Sequence, residues 1–138
     1  VSLVFSAPDP GDIVWCRFPE VEGIKPGPKS RPALVLSVMD DSRAPRVRVV
    51  YGTSQKLVPI QRGELLIRRE DAAAFKMSGL SFPTKFSFNK IVVVPYTDVW
   101  FQCAPLTSVL TASTPRMGTL HPMLMNDLQR AAREAGLI

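Results

Sequence analysis

Hydrophobic and polar positions alternate over residues 12–18, where Ile13, Trp15 and Arg17 fall on one side and Val14, Cys16 and Phe18 on the other. A period of two is that of a β-strand, and the more apolar side is the one that needs a core. Pro19 ends this run, because proline has no N–H to give to a strand ladder. Residues 32–38 are instead almost continuously apolar and β-prone, the pattern of a strand buried on both faces. Residues 47–51 alternate again and lead into Gly52, which in a strand marks a bulge or a close backbone approach. Residues 63–67 read as a short strand, and residues 85–88 and 90–94 as one or two more.

Helical spacing shows in two places. Residues 71–77 form a short helix in this reading, with Glu70 and Asp71 near its positive N-terminal end and Gly79 past its C-terminus. Near the end of the chain Leu120, Leu124, Leu128 and Ala132 recur every fourth residue, and Met125 and Ala135 widen the stripe. Pro122 suits the first turn of that helix and Gly136 its stop. The connections are a turn cluster at 7–11, a basic loop at 20–30 holding Gly23, Pro26, Gly27, Pro28, Lys25 and Lys29, and a hairpin-like link at 39–45. Residues 98–115 follow no period: Trp100, Phe101 and Leu110 need burial, but Pro, Ser and Thr interrupt any long element. These elements predict one mainly β (α+β) domain over residues 1–138, a small curled β-barrel at about 11–95 with a C-terminal helical extension at about 118–136.

Composition narrows the function. The chain has 138 residues, of which 46% are hydrophobic, and a net charge of +5; its isoelectric point is near 9.6. Such a basic surface favours polyanions, nucleic acid first among them. Cys16 and Cys103 lie far apart in apolar contexts and read as two buried free thiols. One histidine and no CxxC pair leave no metal-ligand pattern, so no metal and no cofactor are expected. No apolar stretch approaches the ~20 residues of a membrane span. The apolar start, with no Lys or Arg before Arg17, does not read as a secretory signal.

The most specific motifs lie together. Gly11-Asp12-Ile13-Val14-Trp15-Cys16-Arg17-Phe18-Pro19 is followed by the basic loop. Then come Lys29-Ser30-Arg31-Pro32-Ala33-Leu34-Val35-Leu36-Ser37 and Val47-Arg48-Val49-Val50-Tyr51-Gly52-Thr53-Ser54. This order, over about residues 11–90, resembles the MazF/PemK family of type II toxin–antitoxin toxins. The resemblance implies an SH3-like small β-barrel of the CcdB/PemK-like toxin fold, a homodimer, and a cytoplasmic ribonuclease paired with a cognate antitoxin. It also implies single-stranded RNA as the substrate and catalysis by Arg31 with Thr53.

Residue chemistry is compatible with that implication. Cleavage by the ribose 2′-hydroxyl loads negative charge onto the non-bridging phosphate oxygens, and a guanidinium is planar, ionised and bidentate towards them. Arg31 stands between the basic loop and a buried strand, and Pro32 biases it to an extended backbone. Thr53, or Ser54 beside it, offers a hydroxyl better suited to positioning than to proton abstraction. Lys25, Lys29 and Ser30 are the expected RNA contacts of the loop, and the resemblance implies Thr84 and Lys85 as a further basic-polar pair near the RNA. Residues 83–90 hold no carboxylate, which favours an Arg–Thr mechanism over one with an aspartate base. His121, just before Pro122, reads as a helix cap or packing residue. Two other functions fit the same barrel: a gyrase poison working through its C-terminal helix, and a nucleic-acid-binding barrel without catalysis.

Overall fold

The computed structural model describes residues 2–20, 25–41 and 43–138. Part of the expected loop at 20–30 and Ser42 of the expected 39–45 link lie outside the described residues. Among the described residues, six strands form one antiparallel sheet: β1 (Asp12–Cys16), β2 (Arg31–Met39), β3 (Arg46–Thr53), β4 (Glu64–Ile67), β5 (Thr84–Pro95) and β6 (Arg116–Thr119), in the order β4-β5-β3-β2-β1-β6. A short helix α1 (Ala72–Ser78) links β4 to β5. A 3₁₀ turn (Pro122–Leu124) leads into the C-terminal helix α2 (Met125–Glu134). No described helix is long and apolar enough to cross a membrane.

The central strands are sandwiched. Ile13, Leu34 and Val50 belong to a core on one face, with Phe86, Phe88, Leu124 and Ala131. Their neighbours Val14, Cys16, Ala33, Val35 and Val49 belong to a core on the other face, with Phe5, Tyr96 and Phe101. A strand covered on both sides has no reason to alternate, which is why residues 32–38 read as continuous apolar sequence. The segment 98–115, without a period of its own, supplies Phe101 to the second core by pairing with the end of β1 at Cys16.

Residues 84–95 form one strand, but its pairing with β3 jumps. Val50 lies opposite Ile91 while Tyr51 lies opposite Ser87, so Phe88, Asn89 and Lys90 bulge out. A bulge of this kind bends the strand and tightens the twist, which curls the sheet into a half-barrel. Gly52 is needed where β3 passes β2: a Cβ there would come within 2.4 Å of the Pro32 carbonyl oxygen. Of the two readings of Gly52, the close approach is the one found.

The C-terminal region differs from expectation. Residues 116–119 complete the sheet as β6, with Ile13 opposite Gly118, and the helical part starts only at Pro122. Helix α1 occupies nearly the expected range and ends on Gly79, whose φ of 70° is the left-handed cap conformation glycine adopts freely. Cys16 is fully buried, and burial raises its thiol pKa; Cys103 is only half-buried, and both are free thiols.

Candidate functional site

Arg31 opens β2, with Cys16 of β1 opposite it. The β2–β3 register places Ala33 against Tyr51. Continued by two residues, that register brings Arg31 across from Thr53, the last residue of β3. Two sequence-distant strand ends thus deliver a cation and a hydroxyl to one edge of the half-barrel.

Two cavities meet at Arg31. One, of about 330 Å³, is lined by Arg31, Thr53, Ser54, Ser30 and Thr84, with Trp15, Phe82 and Pro105 among its apolar walls. The other, of about 450 Å³, is lined by Arg31, Tyr51, Lys90, Asn89 and Glu20, with Phe18 and Pro19. Among the described residues no carboxylate ion-pairs with Arg31; its guanidinium instead lies 5.9 Å from the Tyr51 ring centroid. That ring is held edge-on by Phe18, with centroids 5.2 Å apart.

The hydroxyls differ in what they have left to offer. The Thr53 oxygen accepts the Gln55 N–H at 3.1 Å, closing a turn, and its own proton remains to donate. The Ser30 hydroxyl donates to the Gln102 side-chain oxygen, and that of Thr84 donates to the Phe82 carbonyl at 2.8 Å. Thr84 is almost wholly buried. It shapes the cavity wall more than it presents a ligand. Lys25 and Lys29 are exposed and line neither cavity.

Lys85 is placed against its expected role as an RNA contact. Its side chain is 10% exposed and ion-pairs with the equally buried Glu64 at 3.1 Å. A lysine is expected outside unless paired, and the partner that draws it in sits on β4, far away in sequence. His121 caps the 3₁₀ turn: its Nδ1 accepts the Met123 N–H at 3.0 Å.

Sequence reasoning missed Tyr51, Lys90 and Glu20. Tyr51 looked like ordinary strand alternation, and Lys90 reaches the site only through the bulge, which no local pattern marks. Among the described residues Glu20 is the one carboxylate lining either cavity. Among the described residues no three His, Cys, Asp or Glu side chains gather as metal ligands.

Fold and site together define a small basic half-barrel whose adjacent strand ends present hydroxyls and an arginine that, among the described residues, makes no ion pair. The model of the PemK-like, MazF-like toxins of type II toxin–antitoxin systems matches residues 9–135, and the chain belongs to that family. The match runs well past the 11–90 span of the sequence motifs and takes in β6 and α2. No individual curated protein matches the chain. Membership of a type II system implies a cognate antitoxin as partner.

Proposed function

We propose that this chain is the toxin of its pair by virtue of metal-independent, sequence-specific endoribonuclease activity on single-stranded RNA, mRNA in the cytoplasm. It would inhibit translation and growth until the antitoxin neutralises it, and it would act as a homodimer. The observation that carries the reading is Arg31, in no ion pair among the described residues and shared by two cavities, with the Thr53 and Ser54 hydroxyls in one of them.

In the reaction the 2′-oxygen attacks its own phosphorus and loses its proton. A 2′,3′-cyclic phosphate forms, the bond to the 5′-oxygen breaks, and that oxygen takes a proton to leave as a 5′-hydroxyl. Arg31 offsets the charge gathering on the non-bridging oxygens, a preorganised electrostatic role. Thr53, its oxygen already engaged by Gln55, donates its proton to the phosphate and so fixes its orientation. Lys25 and Lys29 are exposed cations of the preceding loop and would track flanking phosphates.

The test is cleavage of a long single-stranded RNA in EDTA by wild type and Arg31→Ala, with the product ends identified. Cyclic-phosphate and 5′-hydroxyl ends that vanish in the variant are expected. Intact RNA after incubation with folded wild type, or cleavage indifferent to Arg31, would overturn the reading and turn attention to gyrase binding by α2.

A further inference from the structure

We infer that Lys90 and the larger cavity form a subsite for the nucleotide next to the scissile phosphate, in which the Lys90 ammonium holds the neighbouring phosphate. The inference rests on the reading that RNA passes over Arg31.

The bulge of β5 lies beside the cavity and is tied by two hydrogen bonds to the turn before β4. The Phe88 N–H donates to the Gly63 carbonyl at 2.8 Å, and the Asn89 side-chain amide donates to the Arg62 carbonyl at 2.9 Å. Lys90 follows directly. Its Nζ lies 4.9 Å from the Tyr51 ring centroid, the same ring that Arg31 approaches at 5.9 Å. Two cations therefore converge on one aromatic that Phe18 holds in place.

Among the described residues neither cation has an ion-pair partner. Lys90 is exposed and Arg31 half-buried, so both cations stay open to an anion arriving from solvent. Arg31 suits the scissile phosphate through its fork of donors; Lys90, a compact point charge, suits a second phosphate whose geometry need not be read. A cavity of about 450 Å³ lies within the range of small-ligand sites, about 300–1,000 Å³. Cations along the backbone beside an aromatic platform are the usual means of holding single-stranded nucleic acid. Glu20 lines the same cavity, and among the described residues no ion pair joins it to either cation. Its carboxylate repels phosphate and accepts from hydroxyl or amino groups, which sets the polarity: phosphates towards Lys90 and Arg31, sugar or base towards Glu20.

Binding of a short, fully 2′-O-methylated single-stranded RNA, which lacks the attacking hydroxyl, separates this subsite from catalysis. Affinity is measured against salt for wild type, Lys90→Gln and Lys90→Arg, with melting temperatures as a check on folding. Lys90→Gln is expected to weaken binding several-fold and lower the log–log salt slope by about 0.7, one phosphate contact on a single strand. Lys90→Arg should keep most of both. With unmodified RNA, Lys90→Gln should act through KM more than kcat. A neutral methylphosphonate beside the mapped cut should reproduce the loss in wild type and add nothing in Lys90→Gln. Unchanged affinity and slope in Lys90→Gln, with wild type still cutting RNA, would overturn the subsite and leave the nuclease standing. A Lys90-dependent slope in a protein that never cuts would do the reverse. Wild type that binds no RNA would overturn both.

Discussion

Lys85 and Lys90 lie on the same strand, and the sheet treats them in opposite ways. Lys85 is drawn inside and neutralised by Glu64. Around that pair Arg130 donates to the Glu64 carbonyl at 2.8 Å and holds Asp127 and Glu134, while Glu134 accepts the Gly63 N–H at 2.9 Å. This region bolts α2 to β4 and leaves little charge uncompensated. At the bulge, Lys90 faces the cavity that Arg31 also lines, and among the described residues neither has an ion-pair partner. The paired charge holds the fold, whereas cations without an ion-pair partner among the described residues, set beside a cavity, suit an anionic ligand.

Four substitutions would break or sharpen that contrast. The largest effect is expected for Arg31→Ala, on activity alone: a loss of about 10²–10³ in the cleavage rate constant, with the denaturation midpoint unchanged. An equal loss of stability would make Arg31 a structural cation after all. Lys85→Met should do the opposite, costing about 3 kcal/mol in denaturant unfolding because Glu64 is left buried and unpaired. The double change with Glu64→Met should recover most of that cost. If Lys85→Met instead leaves stability intact and abolishes RNA binding, the division between the two regions is wrong.

Thr53→Val should lower kcat/KM by about ten- to hundredfold, the worth of one hydrogen bond to a charged group. The same change should move stability by no more than about 0.5 kcal/mol. A normal rate in the valine variant would remove the hydroxyl from the mechanism. The smallest effect concerns Glu134, whose carboxyl pKa is lowered, first by the Gly63 N–H and then by the nearby Arg130 and Arg62. A depressed folded-state pKa stabilises above the unfolded-state value and ceases to do so as pH falls through the folded one. Glu134→Gln should therefore lower the neutral plateau slightly and flatten the decline on the acid side, the two curves drawing together below about pH 4–5. Parallel acid limbs for variant and wild type would show that the carboxylate does not contribute there.

Much of the architecture was legible because its signals are local. Strands β1 to β3, helix α1 with its Gly79 cap and the stripe of α2 each follow from a period, a cap residue or an apolar run. Arg31 and Thr53, which the resemblance singled out, line one cavity. Strand β6 was hidden: Arg116, Met117, Gly118 and Thr119 are too short and mixed to show alternation, and they become a strand because β1 offers an unpaired edge. The burial of Lys85 was equally invisible, since a lone lysine is taken as solvated until its carboxylate is seen beside it.

The amino-acid sequence by itself determined the kinds of element, the basic character, and the arginine and hydroxyl at the ends of two strands, because those follow from side-chain periodicity and residue chemistry over a few neighbouring positions. The tertiary structure alone decided which cations are spent and which are left free. That choice depends on register: a three-residue bulge in β5 turns Lys90 onto the Tyr51 ring while the pairing with β4 brings Lys85 to Glu64. Register is set by contacts between distant segments, and no local pattern carries it.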